Sequence, residues 1–512
     1  MNMRYPAGLK KDSIYPSMKV GQIPSIFKND LPILKKKKKK LCFSDWIQDF
    51  FSSTSMHGLS YVVKDKAGLT ERILWICVFA TGLVVSAYLS FIIYYRWETS
   101  PVIISVGNLA YPVEEADFPA VSVCNSNKVS KAGFQKFLEE IKGKDDAHIL
   151  KSLFRGLTTF QRRNEEDTKM MEMTSQKYNI SMDVFIQKMM VLAPSCKDMI
   201  QFCTWQKKII DCRKYFILRP SDEGLCCVFN GASLLQRLRN NSNVSPFVPL
   251  RTSGGTYLGL TILLDAKLDD YLIPSSYFSG FKMLVHDPRE FPEPGYSGFA
   301  VEPGTETFVG LKLTVIKNGD MVHRNIKLAA RNCYFRTEKK LKYFVNYTTA
   351  DCLIDCRISR MVDACGCRPW IWFVIGPWPV CNITQYQCLI QAEFGHQNNI
   401  KSCDCQTSCE QTRYDLEISQ VSFPGHMAEE YSPSFQERFI VNDDYVRKNL
   451  AMVHVFYKER TGTLYIRDIR YGWEDIVASI GGLLGLGVGF SFISAIEVLY
   501  FLLIRWWSFV CR

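Results

Sequence analysis

Two long apolar runs, near opposite ends of the chain, limit its fold more than any other feature. Residues 73–95 (ILWICVFATGLVVSAYLSFIIYY) carry no charge over 23 positions, and residues 476–504 carry one, Glu497, in 29. Each exceeds the roughly 20 residues with which a helix crosses about 30 Å of hydrocarbon. Both are therefore predicted to span a membrane. The first does not read as a cleaved signal peptide, because 72 residues precede it and its apolar run is longer than a signal core. It reads as a signal anchor.

Charge orients the spans. The net charge of +11 invites a polyanion partner, but residues 1–72 hold 14 Lys and Arg against 6 Asp and Glu, and residues 505–512 add two more cations. What remains, 73–504, carries only about +1. Basic flanks stay cytoplasmic. The expected layout is a cytoplasmic region 1–72, a span at 73–95, an extracellular region 96–475, a second span at 476–504 and a cytoplasmic tail at 505–512. The basic excess is then a topology signal, and nucleic acid drops out as a partner.

Cysteines and sequons agree with that layout. Cys42, Cys77 and Cys511 lie in the cytoplasmic or membrane parts, leaving 16 of 19 in the outside segment. An even number in an oxidising compartment is read as disulfides. Zinc is the alternative at Cys365-Gly366-Cys367 and Cys403-Asp404-Cys405, but structural zinc prefers Cys-x2-Cys, and no metal is assigned. Asn-x-Ser/Thr sequons at Asn179, Asn240, Asn243, Asn346 and Asn382 all fall between the spans. Such tripeptides also arise by chance at about this frequency.

Within 96–475 the pattern is mixed. Stretches rich in strand formers at 118–124, 256–264, 278–286, 307–316 and 452–457 are predicted as strands of one sheet. Segments 133–142, 182–190 and 341–347 have helical periodicity. The fold class is a membrane protein with two transmembrane helices and a large disulfide-rich α+β extracellular domain.

The second span argues for itself. Gly481, Gly485 and Gly489 recur every four residues and share one helix face, which lets backbones approach. Helix packing alone explains such a stripe, but three glycines in 485–489 make a poor continuous helix. Non-helical backbone at membrane depth needs protein or water to satisfy it. A break lining a water-filled path is the sharper reading. Glu497 in a lipid-facing helix costs about 2.5–3.5 kcal/mol or more, so it is expected to face a bundle interior or a pore. The plainer alternative is snorkelling at the inner membrane edge, near Arg505.

Four motifs in order then resemble one family: His57-Gly58 before the first span, Phe118-Pro119-Ala120-Val121-Ser122-Val123-Cys124-Asn125 after it, a cysteine-rich segment at 333–409, and Gly489-Phe490-Ser491 in the second span. The chain resembles the degenerin/epithelial sodium channel family over nearly its whole length. Gly224-Leu225-Cys226-Cys227-Val228-Phe229-Asn230 and residues 489–501 are most similar to the pickpocket branch of insects.

That resemblance implies an acid-sensing-channel-like fold, a trimer, sodium ions as cargo and amiloride-type blockers as ligands. It implies a thumb ladder of Cys333–Cys409, Cys352–Cys405, Cys356–Cys403, Cys365–Cys388 and Cys367–Cys381, a helix pair stiffened at about 2–4 kcal/mol per bridge. It also implies Cys124–Cys226. Cys203–Cys212 would close a short loop, and pairing of the leftover Cys196 and Cys227 is only a suggestion. Thr407 replaces a proline common in the family's turn. Gly489, Phe490 and Ser491 match the selectivity filter, Gly485 the amiloride-block position, Ala478 the degenerin position where a small side chain permits closing, and Glu497 the pore carboxylate. A second acid that some members carry three residues on is Tyr500 here. His57 and Gly58 match a cytoplasmic re-entrant turn that sets open probability.

The six lysines Lys35 to Lys40, at about 1 kcal/mol each on anionic lipid, suit an inner-leaflet anchor, or a solvated stretch that only enforces topology. No Pro-Pro-x-Tyr stands in the tail, so control by that ubiquitin-ligase motif is not expected. The function read from all this is a stimulus-gated, amiloride-sensitive, sodium-selective channel subunit of the plasma membrane, with self or related subunits as partners and no cofactor. Rival classes make distinct demands. A two-span scavenger receptor that binds lipid has no need of Glu497 or a glycine break. An ectoenzyme would need a reactive constellation, and neither His-Glu-x-x-His nor Gly-x-Ser-x-Gly occurs. An ATP-gated channel would show paired lysines for phosphate and no thumb ladder.

Overall fold

The computed structural model describes residues 43–64, 67–159, 165–232, 247–320, 322, 326–372, 378–394, 403–425 and 443–505. Lys35 to Lys40, Asn240, Asn243, Cys42 and Cys511 lie outside the described residues. The chain forms two compact units, Tyr88–Ile480, and Met1–Ala87 with Gly481–Arg512.

The larger unit is built on two sheets. The first has eight strands, in the order Val102–Pro112, Thr461–Ile469, Thr305–Asn318, Leu450–Tyr457, Leu260–Asp265, Ile200–Trp205 and Lys208–Ile209, with Gln411–Ser422 also pairing to Thr305–Asn318. That 14-residue strand buries Thr307, Val309, Leu311, Leu313 and Val315, the period of two that its sequence carries. The second sheet runs Phe216–Ser221, Gly224–Phe229, Ala120–Asn125, Phe281–His286 and Phe299–Val301. The single sheet expected from sequence is thus two. The reason is burial on both faces: every residue of Ala120–Asn125 is buried, so the strand needs cover that one sheet cannot give. Phe118, Val121 and Phe229 meet Leu260, Val309, Leu311 and Tyr457 in one core.

The Phe-Pro-Ala-Val-Ser-Val-Cys-Asn segment is part of that core. Phe118 packs edge-on against Tyr457, centroids 5.7 Å apart, while the Tyr457 and Tyr414 hydroxyls donate to the Asp117 carbonyl at 2.8 and 2.9 Å. Asn230 donates to the Phe118 carbonyl at 2.5 Å and accepts from the Leu250 amide at 2.8 Å, tying the motif to the Cys-Cys-Val-Phe-Asn segment.

A second core joins the helices Lys131–Glu140, Ala147–Thr159 and Met182–Leu192 to the cysteine-rich helices Thr349–Cys365 and Tyr386–Phe394. The Leu157 carbonyl accepts from both Trp370 Nε1 (2.8 Å) and the Tyr386 hydroxyl (2.6 Å). Thr348 caps Thr349–Cys365 by accepting from the Asp351 amide at 3.0 Å, and Gly366, at φ 69°, ends it in the left-handed conformation that glycine favours. The helix expected at 341–347 does not form. Leu341, Tyr343, Phe344 and Tyr347 are buried at a spacing that imitates a helix, but the amides of Lys342 and Tyr343 donate to the Asp355 carboxylate at 3.2 and 2.8 Å. Tertiary hydrogen bonds replace helical ones there.

Eight disulfides brace this unit: Cys124–Cys226, Cys196–Cys227, Cys203–Cys212, Cys333–Cys409, Cys352–Cys405, Cys356–Cys403, Cys365–Cys388 and Cys367–Cys381. Each thiol considered for zinc is therefore engaged. Asn179, Asn346 and Asn382 are exposed on this unit.

Asp222, in the turn between Phe216–Ser221 and Gly224–Phe229, has its carboxyl raised from 3.8 to about 6. Burial is the main cause; the Gly295 amide, donating at 3.1 Å, opposes it, and Glu293 and Glu223 add to it. A proton held more tightly in the folded state favours folding below about pH 4, and that contribution is lost as pH rises through 6. Asp222→Asn should therefore melt higher than the parent at pH 7.5 and together with it at pH 4. Thermal melts of the purified chain check this; parallel curves across that range would contradict it.

Candidate pore site

Among the described residues, Leu69–Thr99 is a 31-residue helix long and apolar enough to cross a membrane. The second apolar run forms two helices, Trp473–Val488 and Phe492–Arg505, bent by 70° at a short break. Within the stretch 485–489 expected to break, the helix runs through Gly485 and Gly487, and the chain turns at Gly489, Phe490 and Ser491.

The turn has local causes. Gly489 lies at φ 72°, where a side chain is strained. A Cβ added there would also stand 2.6 Å from His57 Cδ2. Ser491 then restarts the helix. Its extended backbone and side chain form a capping box with Ser494, the Ser491 amide donating to Ser494 Oγ at 3.0 Å and the Ser494 amide to Ser491 Oγ at 3.3 Å.

A break releases backbone carbonyls, and the segment before the first span takes one. The His57 amide donates to the Val488 carbonyl at 3.0 Å. Gly58 makes the turn that aims this amide, at φ 85°, with a virtual Cβ 3.2 Å from the Trp75 ring. Tyr61 stacks on Trp75 at 4.7 Å and steadies the same turn. His57 and Gly58 are thereby brought to Gly489.

Glu497 faces that segment too. Its Oε2 accepts from the Ser55 amide at 2.9 Å and the Ser55 hydroxyl at 3.0 Å. Ser55 Oγ also meets Ser494 Oγ at 2.7 Å. Lower down, Arg505 pairs with Asp49 at 2.8 Å and Phe501 packs edge-on to Phe50, centroids 5.2 Å apart. The helix Phe43–Ser53 is thus fastened to the end of the second apolar run, and Glu497 is not a free, snorkelling side chain.

The close approach of helices uses a glycine that the stripe did not mark. A Cβ on Gly487 would collide with Ser86 Oγ, and one on Gly82 with the Gly487 carbonyl. Ser86 donates to the Leu483 carbonyl at 3.1 Å. Gly487 lies two residues, about 200°, around the helix from Gly485. The face of Gly481 and Gly485 is consequently left open: a Cβ on Gly481 meets nothing within 4 Å, and one on Gly485 meets only the Phe490 carbonyl, at 3.9 Å. Ala478, exposed, continues that stripe three residues before Gly481. Sequence reasoning missed Ser55, Gly82 and Ser86. Ser55 had the signal of standing two residues before His57; Gly82 and Ser86, four apart, had only small size.

Comparison with known proteins gives this geometry its context. A profile described as amiloride-sensitive sodium channel matches residues 50–501. Pickpocket protein 28 of Drosophila melanogaster is 27% identical, over 89% of this chain and 78% of its own length. The sodium channel protein Nach of Drosophila ananassae is 25% identical, over 88% and 85%. The bile acid-sensitive ion channel of Mus musculus is 25% identical, over 90% and 88%. A lipid-binding scavenger receptor and an ectoenzyme are both disfavoured by a match of this extent. The chain belongs to the degenerin/epithelial sodium channel family, in its pickpocket branch, as a membrane-embedded cation-channel subunit with a disulfide-rich α+β extracellular domain and no enzymatic role.

Proposed function

We propose that this subunit assembles, with itself or related subunits, into a trimeric plasma-membrane channel that is selective for sodium and blocked by amiloride. Both termini are cytoplasmic, 73–95 and 476–504 are the two spans, and 96–475 is extracellular. The exposed sequons Asn179, Asn346 and Asn382 and the eight disulfides support that orientation.

The observation that carries the reading is the helix break at Gly489–Phe490–Ser491 inside an apolar run, with its Val488 carbonyl satisfied by the His57 amide. Lipid alone could not accommodate such backbone. Carbonyls turned out of a helix beside a serine hydroxyl are the groups that replace a cation's hydration shell. Three copies would form a ring of filter carbonyls, with Glu497 below each to concentrate cations. The open face of Ala478, Gly481 and Gly485 would line the path above, which suits a blocker at Gly485 and a closing contact at Ala478. Phe490 and Tyr500 shape the filter and its inner exit. Lys35 to Lys40 would hold the cytoplasmic segment on anionic lipid.

Gating follows from connectivity. Strand Val102–Pro112 continues from the first helix and Thr461–Ile469 leads into the second, and the two are antiparallel neighbours, Val102 opposite Ile469. A stimulus on the extracellular domain would shift both as one element and move the two spans together.

Ala478→Val should prop the pore open. In voltage-clamped cells expressing the chain, it is expected to give an amiloride-blocked inward current that collapses when a bulky organic cation replaces sodium. No such current, with the protein at the cell surface, would contradict a homomeric channel, and co-expression with a related subunit then tests the heteromer. Gly487→Val in the same background should abolish the current, because the side chain has no room against Ser86; an unchanged current would refute the Gly82–Gly487 crossing.

A further inference from the structure

On the eight-stranded sheet, away from the cysteine-rich helices, one cation is buried without an anion. Arg467, on strand Thr461–Ile469, is 7% exposed, and its Nη1 is buried with no hydrogen-bond partner. Among the described residues no carboxylate pairs with it, and burial alone holds its guanidinium below the usual arginine range. Directly opposite, in the parallel ladder with Thr305–Asn318, stands Asn318. The nitrogen and the oxygen of its side-chain amide are both buried, and neither has a partner. Residues opposite one another in a ladder project to the same face, so the two side chains are neighbours. On its other flank Arg467 faces Ile104, which offers no polar group. The backbone here is satisfied, the Arg467 carbonyl accepting from the Gly319 amide at 2.9 Å, so the deficit lies in the side chains.

A guanidinium can only donate, and an amide nitrogen donates as well. Water could accept from both, but it would leave the charge uncompensated, and a buried charge without its partner costs far more than a missing hydrogen bond. A carboxylate from another subunit is no better suited, because the chain that carries Arg467 already covers it. What remains is an anion small enough to enter beneath that cover.

We infer that Arg467 and Asn318 form a binding site for a small inorganic anion of the halide class, held by the guanidinium and the Asn318 amide nitrogen. The bound anion would tie the end of Thr305–Asn318 to Thr461–Ile469, six residues before the helix Trp473–Val488 begins, and so stabilise that ladder. The site stands whether or not Gly489 to Ser491 is the filter.

Thermal melts of the full-length chain in detergent test it, with sodium chloride exchanged at constant ionic strength for sodium gluconate, whose anion is too large to enter. The parent should melt higher in chloride, with a saturating dose dependence, and Arg467→Gln should lose that dependence. Asn318→Ala, which removes one donor, should raise the half-saturating chloride concentration about fivefold, the factor one net hydrogen bond is worth. Asn318→Asp sets a carboxylate against the guanidinium and supplies the anion from within. It should melt in gluconate as high as the parent does in chloride, and chloride should add nothing. That variant keeps the test decisive even where Arg467→Gln fails to fold. A parent that melts alike in the two salts overturns the site, since water or the protein itself then satisfies Arg467. A chloride dependence that persists in Arg467→Gln or in Asn318→Asp overturns it too, because the effect then arises elsewhere, as does an unchanged midpoint in Asn318→Ala.

Discussion

Everything near the break in the second apolar run depends on how the interrupted helix satisfies its backbone. A membrane helix keeps its hydrogen bonds within itself, and an interruption strands carbonyls at a cost of several kcal/mol each unless protein or water meets them. Here the His57 amide meets the Val488 carbonyl, and the Ser494 hydroxyl lies within reach of the Gly489 carbonyl. The segment before the first apolar helix is therefore structural to the break. Gly58 is needed to turn it, Gly489 to receive it, and the Glu497–Ser55 and Asp49–Arg505 contacts hold it there.

The extracellular domain meets a different constraint. Its strand Ala120–Asn125 is buried on both faces and needs cover from the other sheet, and the family's Phe118–Asn125 motif proves to be packing: Phe118 fills the core while Asp117 and Asn230 pin the backbone beside it. The disulfide-bonded helices share a separate core with those of 131–192, through residues such as Trp370 and Phe185, centroids 5.6 Å apart. Strands Val102–Pro112 and Thr461–Ile469, which pair with one another, adjoin in the chain the helices Leu69–Thr99 and Trp473–Val488.

Much of this was legible in the residues because it depends on length, charge and order. Two apolar runs, the basic flank and four motifs in sequence do not need tertiary information. The register of the break did. Three glycines in 485–489 said that the helix was weak, but which one turns is decided by His57, more than 400 residues away in sequence, and by the Ser491 cap. The Gly481 stripe suggested a packing face, yet Gly82 and Ser86 selected Gly487, on the other side of the helix. Segment 341–347 misled for the same reason, since Asp355 supplies acceptors that no local pattern reveals.

The central claim is that the turn at Gly489 to Ser491 lines a water-filled ion path. Cysteine accessibility tests it most directly: Ser491→Cys, on a background of Ala478→Val and Cys77→Ser, exposed to a small water-soluble thiol reagent while sodium current is recorded. The account predicts rapid, irreversible loss of current in the Ser491→Cys channel and none in its background. A conducting Ser491→Cys channel that the reagent leaves untouched from both sides of the membrane would contradict it.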